Sequence, residues 1–155
     1  MNGCKKDEPV PVKRFAQRHD SFDVGVVVSF GYFLYRGPAP IHHALLNGDA
    51  TTGVSVIEID PKAFDVGRIL LQEPYDIKSG IQCQELANEL AEFGAEGIIK
   101  TLSELPSRKE AAAVQDDATA SKAPKLTLKD GVLSLNEPAH EIFHRWQALS
   151  NSVGS

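Results

Sequence analysis

Residues 35–60, YRGPAPIHHALLNGDATTGVSVIEID, contain the change of pattern that decides the fold. Pro40 suits the first turn of a helix, and Gly48 is a residue that commonly ends one. Between them, apolar side chains recur at the spacing of helical turns, at Ile41, Leu45 and Leu46. β-Branched and apolar residues then alternate with other residues, as they do in a strand. The stretch therefore predicts a short helix followed by a β-strand.

The predicted strand leads into a second one. Val54, Val56 and Glu58 alternate with the residues between them, and the segment GRILLQEPYDI, residues 67–77, has the composition of another strand. The turn between the two contains Pro61 and Asp65. Two strands joined by a short loop predict an antiparallel hairpin.

The tetrapeptide FDVG occurs at the start of two different segments, at residues 22–25 and 64–67. The first copy runs into consecutive valines, which predicts a buried strand from Asp23 to Phe30. The second copy places Asp65 in the hairpin turn, where a scaffold presents polar side chains. We therefore expect Asp65, and not Asp23, to carry chemistry.

The RGPAP sequence, residues 36–40, predicts a stiff turn with few side-chain atoms. Such a turn allows another backbone or a flat ligand to approach Gly37. Arg36 at its edge could bind an anion. Considered without its neighbours, this turn is more often a plain loop than a site.

The rest of the chain predicts one long helix, a linker and a C-terminal piece. Helical spacing runs from Ile81 to Leu105, where Pro106 should end the helix, and Gly94 and Gly97 indicate a bend or the close approach of another backbone. Residues 106–125 lack large apolar side chains and are predicted to be a linker.

The C-terminal segment, residues 126–155, predicts a hairpin turning at Asp130 and Gly131, then a helix capped by Asn136 with Pro138 in its first turn. The apolar side of that helix should consist of Ile142, Phe143, Trp146 and Leu149.

Three groups of residues have side chains of the kinds that bind metals. The sequence HEIFH would place His140 and His144 on one helical face, with Glu141 as a general base, as in zinc hydrolases. Two solvent-facing histidines are the more common outcome. His42 and His43 point about 100° apart on a helix and cannot chelate one ion from a single face. An acidic cluster of Glu58, Asp60 and Asp65 is a weak candidate for magnesium.

Composition narrows the function classes. The chain has 155 residues, a formal net charge of −5 and two cysteines. The length corresponds to one domain. The net charge is negative and Lys and Arg are not clustered, which argues against a nucleic-acid-binding module. Two distant cysteines favour a reducing compartment over a disulfide framework. We expect no membrane segment, no secretory signal and no clear transit peptide.

Several blocks together closely resemble the methionyl-tRNA formyltransferase family, particularly its animal mitochondrial form. They are VVVSFG, the stretch at residues 35–60, and FDVGRILLQE, and the later ATASKAPKLTL and EIFHRWQAL also match. The resemblance implies an α/β, Rossmann-like formyltransferase-type fold. It also implies formyl transfer from 10-formyltetrahydrofolate to the methionine amino group of initiator tRNA, in mitochondria.

The resemblance also implies the site. It assigns the family's catalytic aspartate to Asp65. The substrate-lining residues would be Arg36, Gly37, Pro38, Pro40, Phe64 and Gly67. No metal is expected.

The sequence departs from the family pattern. The family's Asn-x-His should lie between Leu34 and Tyr35, which are adjacent here, and the family's first strand is absent before Val10. We expect a partial catalytic domain at 1–105, a linker at 106–125 and the start of a shortened C-terminal domain at 126–155, with weakened tRNA binding. Loss of an interior strand should leave two rows of backbone groups unpaired. Little or no formyl transfer is expected.

Two other functions remain open at this point. One is a non-catalytic fragment that binds folate or pairs its sheet edges with the full-length enzyme. The other is a zinc hydrolase that uses HEIFH. Stabilisation by folate or by zinc would separate them.

Overall fold

A computed structural model describes residues 26–30, 35–59, 67–116, 121–134 and 136–150, with the backbone alone for 26–30. The predicted Asp23, Phe64 and Asp65 lie outside these ranges. The elements are β1 (Val26–Phe30), β2 (Tyr35–Arg36), α1 (Pro40–Leu46), β3 (Thr51–Glu58), β4 (Ile69–Asp76), α2 (Cys83–Ser103), α3 (Leu105–Glu110), β5 (Ser121–Lys122), a 3-10 helix (Leu128–Gly131) and α4 (Ala139–Leu149).

The predicted helix and hairpin are confirmed. α1 begins at Pro40, and Gly48 follows its C-cap with a φ of 67°. β3 and β4 pair antiparallel from Thr51 opposite Asp76, with an irregularity in register between Val56 and Ile57. The local sequence pattern was enough to predict these elements because α1, β3 and β4 are short and follow one another in the chain.

A three-stranded sheet is formed in the order β1-β3-β4. β1 pairs antiparallel with β3, with Val26 opposite Glu58 and Phe30 opposite Val54. We expected the loss of an interior strand to leave the backbone groups of the neighbouring strands unpaired. For the edge of β3 that faces β1, this expectation is wrong. Backbone groups pair with any strand that reaches them, so β1 satisfies β3 directly.

The core lies between this sheet and α2. Leu86 and Leu90 of α2 and Val54 and Val56 of β3 are fully buried. A Cβ on Gly97 would lie 3.3 Å from Leu71 Cδ2, so the small residue lets the helix pack closely on the sheet. α2 ends at Ser103, and Pro106 lies in the first turn of α3 instead of ending the long helix.

The segment predicted as a linker contains packed structure. α3 occupies Leu105–Glu110, Ala113 forms a bridge with Ile69, and β5 pairs parallel with β2. Ala123 is fully buried. The linker was predicted from the lack of large apolar side chains. Backbone hydrogen bonds hold this segment against the rest of the fold instead, and amino-acid composition does not encode them.

The predicted hairpin at Asp130 and Gly131 is wrong. A 3-10 helix occupies Leu128–Gly131, because the Asp130 carboxylate accepts hydrogen bonds from Thr127 N at 2.6 Å and Thr127 Oγ1 at 2.8 Å. The bond from Thr127 N is one arm of a capping box, and the bond from Asp130 N to the Thr127 side chain is the other. Such a box favours a helical turn. α4 follows, with Pro138 and not Asn136 at its N-cap.

The predicted apolar side of α4 is split between core and surface. Leu149 is buried with Ala148, whereas Phe143 and Trp146 are 44% and 45% exposed. Their rings stack at a centroid distance of 5.7 Å. None of the helices in the described ranges is long and apolar enough to span a membrane.

Candidate functional site

The RGPAP turn packs against the backbone of residues 121–123. Ala123 N donates to Arg36 O at 2.9 Å, and Ala39 N donates to Ala123 O at 3.3 Å. Gly37 has a φ of 142°, and a Cβ there would lie 2.4 Å from Ala123 O. Of the two partners that the sequence allowed for Gly37, the structure therefore provides another backbone.

Tyr35 anchors the strand that presents this turn. Its hydroxyl donates to Asp49 Oδ2 at 2.7 Å and accepts from Asn47 Nδ2 at 2.6 Å. Burial, followed by the hydrogen bond to Asp49, raises the pKa of the Tyr35 hydroxyl above its usual value. The ring of His43 stacks on Tyr35, and His43 Nε2 donates to Pro124 O at 3.0 Å. These contacts hold β2 to the C-terminal end of α1.

The hairpin stem, which consists of Glu58, Gly67 and Arg68, is closed by an ion pair. Arg68 Nε and Nη2 donate to the two carboxylate oxygens of Glu58 at 2.7 and 2.9 Å, and Glu58 N donates to Arg68 O at 2.9 Å. The hydrogen bond to Glu58 raises the pKa of the Arg68 guanidinium. A Cβ on Gly67 would lie 1.7 Å from Glu58 O, so this position requires glycine. These contacts join the C-terminal end of β3 to the residues that precede β4.

One segment touches both parts of the candidate site. Ala113 and Ile69 exchange backbone hydrogen bonds at 2.8 and 3.1 Å. Gln115 Nε2 donates to Gly67 O at 2.7 Å, and Arg36 Nη2 donates to the backbone oxygen of Asp116 at 3.2 Å. Residues 113–116 therefore join the RGPAP turn to the hairpin stem.

The predicted site residues separate into three groups. Arg36 and Gly67 are brought to the same segment, and Gly37 lies against Ala123. Pro38 is exposed, and Pro40 starts α1. Phe64 and Asp65 fall in 60–66, outside the described ranges. Sequence reasoning missed Tyr35 and Gln115, because their partners lie far away in the chain and no local motif marks them.

The histidine motif lies on α4. The ring centroids of His140 and His144 are 6.0 Å apart. His144 packs against Gly48, since a Cβ added to Gly48 would lie 2.2 Å from His144 Cε1. In the described residues, no group of three or more His, Cys, Asp or Glu side chains is placed to hold a metal ion. Glu58, part of the proposed acidic cluster, forms an ion pair with Arg68.

Comparison with known sequences shows similarity to one family. A family described as formyl transferase matches residues 32–102. The chain is 34% identical to the mitochondrial methionyl-tRNA formyltransferase of Homo sapiens, over 85% of this chain and 40% of that protein. It is 30% identical to the methionyl-tRNA formyltransferase of Granulibacter bethesdensis, over 99% of this chain and 56% of that protein. The chain thus spans less than two thirds of the length of these relatives.

Solved structures confirm the formyltransferase-type α/β fold. HypX from Aquifex aeolicus in complex with tetrahydrofolic acid superposes with a TM-score of 0.70 at 16% identity, over 85% of this chain and 23% of that one. The N-formyltransferase from Helicobacter canadensis, in complex with folinic acid and dTDP-3-aminofucose, has a TM-score of 0.70 at 17% identity, over 79% of this chain and 46% of that one.

Proposed function

We propose, on the premise that residues 32–102 belong to the formyl transferase family, that this chain is a methionyl-tRNA formyltransferase-type protein whose own transfer step is lost or strongly reduced. The reaction in question moves a formyl group from 10-formyltetrahydrofolate to the methionine amino group of initiator tRNA. The observation that carries the retention of a folate site is the joining of Arg36 and Gly67 by residues 113–116. It keeps the turn and the Asp65 loop stem together.

The chemistry gives Asp65 one defined task. The amine nitrogen attacks the formyl carbon, the bond from that carbon to the folate nitrogen breaks, the amine loses a proton and the folate nitrogen gains one. A carboxylate at Asp65 would accept or orient that proton. Arg36 at the edge of the turn would face the anionic portion of a folate. Both roles are proposed from the family resemblance.

The oxyanion that forms during attack needs hydrogen-bond donors, and the sequence lacks the Asn-x-His motif of the family. No Asn-x-His occurs anywhere in the chain, and Leu34 is followed directly by Tyr35 where that motif would lie. Loss of one such donor costs about two to three orders of magnitude in related chemistry. Binding of folate without efficient transfer is therefore the expected behaviour.

Location and RNA partner are proposed from the relatives. The human and bovine relatives are mitochondrial proteins, and bacterial relatives match as well. We assign this chain to mitochondria, with initiator methionyl-tRNA as a weakly bound partner.

The first experiment is a thermal melt of the purified chain by circular dichroism, with and without a stable tetrahydrofolate analogue. A ligand that binds the native state at a hundred times its Kd adds about 2.7 kcal/mol, so the Tm should rise by several degrees. A cooperative melt that ignores the analogue would remove the folate-binding part of the proposal.

A transfer assay tests the second part. The chain and its Asp65→Asn variant are incubated with 10-formyltetrahydrofolate and methionyl initiator tRNA, with a full-length relative as the positive control. We expect transfer by this chain to be at least about a hundredfold slower than by the relative. A rate equal to that of the relative would overturn the claim of lost transfer.

A further inference from the structure

Gln115 makes a contact that neither the family resemblance nor the local sequence assigns. Its half-buried side chain donates from Nε2 to Gly67 O at 2.7 Å, across 48 residues of sequence. Gly67 is buried and directly follows residues 60–66, which include Asp65. The Gln115 amide therefore binds the backbone carbonyl of Gly67, the first stem residue after residues 60–66.

The neighbours of Gln115 extend this contact in both directions. Two residues earlier, Ala113 forms the bridge with Ile69. One residue later, the Asp116 carbonyl accepts from Arg36. A shift of Gln115 would consequently move the hairpin stem relative to the RGPAP turn, because the same short segment holds both.

We propose that Gln115 is a positioning residue that sets the hairpin stem beside Arg36 through its hydrogen bond to the Gly67 carbonyl, and so fixes the geometry in which a folate is bound. This inference rests on the proposed function for its ligand, but not for the contact itself. A side-chain amide suits this role because it donates a hydrogen bond and carries no charge. A charged donor would lose hydration next to the buried Gly67.

The test compares amide hydrogen exchange in the full chain for wild type, Gln115→Glu and Gln115→Ala, without ligand. Loss of one hydrogen bond is worth about 1 kcal/mol, so amides at Glu58 and Ile69 should exchange about fivefold faster. Amides within α2 should not change. Gln84→Ala is the matched control, since Gln84 also donates one hydrogen bond from Nε2, but to the side chain of Asn88 at 3.1 Å on an exposed surface.

Gln115→Glu adds a readout that a merely structural residue would not give. A carboxylate cannot donate to the Gly67 carbonyl, whereas a protonated carboxyl can, and proximity to the carbonyl raises the pKa of that carboxyl above about 4.3. The difference in exchange from wild type should therefore shrink between pH 7 and pH 5. The difference shown by Gln115→Ala should persist at both values.

Ligand affinity is measured separately by the shift in melting temperature with the tetrahydrofolate analogue. We expect weaker binding by Gln115→Glu than by Gln84→Ala at pH 7. Wild-type exchange rates in both Gln115 variants, or faster exchange throughout α2 as well, would overturn the positioning role. If the wild type itself ignores the analogue, the proposed function fails, and the exchange data still decide whether Gln115 holds the stem.

Discussion

At the scale of single residues, two glycines illustrate how the site depends on backbone contact. Gly37 has a φ of 142° and faces Ala123 O, where a Cβ would lie 2.4 Å away. Gly80 has a φ of 81°, but no atom lies within 4 Å of its Cβ position. The two positions share a backbone conformation unsuited to side chains and differ in the space around them.

We expect Gly37→Ala to lower the free energy of unfolding by about 2 to 4 kcal/mol, because strain and a clash with Ala123 act together. Gly80→Ala should cost about 1 kcal/mol, from strain alone. Urea denaturation followed by circular dichroism measures both. Equal losses would show that the turn moves away from Ala123 at little cost.

Cys83 is a second residue whose surroundings predict its behaviour. The side chain is buried at the start of α2, and desolvation raises the pKa of its thiol to about 11. In a Cys4→Ser variant at pH 8, we expect disulfide exchange with Ellman's reagent to be about two orders of magnitude slower in the folded chain than in urea, because few thiolates are present. Comparable rates would contradict the burial of this thiol.

At the scale of elements, α2 is the main support of the sheet. Leu90 is fully buried in a core cluster that includes Val54 of β3 and Leu45 of α1, whereas Leu102 on the same helix is 50% exposed. The two leucines therefore form a matched pair for measuring core packing.

Leu90→Ala should lower the free energy of unfolding by about 2 to 5 kcal/mol, through lost burial and a cavity. Leu102→Ala should cost less than about 1 kcal/mol, since water replaces most of what it touches. Chemical denaturation gives both values. If Leu102→Ala proved the more costly, the packing face of α2 would be wrongly assigned.

At the scale of the whole molecule, stability should depend on pH above the range of carboxyl titration. Burial, followed by repulsion from His43, lowers the pKa of the His42 imidazole from its ordinary value of about 6.5. The unfolded chain then binds a proton at a higher pH than the folded chain does. Stability is thus fully present above about pH 6.5 and falls as the pH drops toward the lowered folded value.

We expect the melting temperature to decrease between pH 6.5 and pH 5, and the decrease to be smaller in His42→Gln. Calorimetry at fixed ionic strength measures the melting temperature in both proteins. Parallel curves for the two proteins would assign the loss to other groups. Glu89 and Asp130, whose pKa values are lowered by hydrogen bonds from Lys78 and Thr127, should add a further loss only below about pH 4.5.

Part of the fold could be predicted because neighbouring residues encode it. The helix from Pro40, the β3–β4 hairpin and the long helix α2 follow from periodicity and from proline and glycine positions. The family resemblance added the fold class and the expected substrate-lining role of the RGPAP turn. The hairpin at Asp130 failed because a capping box, with Thr127, favours a helical turn over the type that Asp-Gly commonly forms.

The sequence by itself determined the helix from Pro40, the β3–β4 hairpin and the long helix α2, and it carries the similarity to the formyl transferase family. Tertiary structure alone decided that β1 pairs with β3, that Gly37 faces Ala123, and that Gln115 and Asp116 join the two parts of the site. The bonds from Arg36 and Gln115 span 80 and 48 residues. Local side-chain patterns carry no information about such contacts, because a backbone carbonyl accepts a hydrogen bond from any donor that folding brings to it.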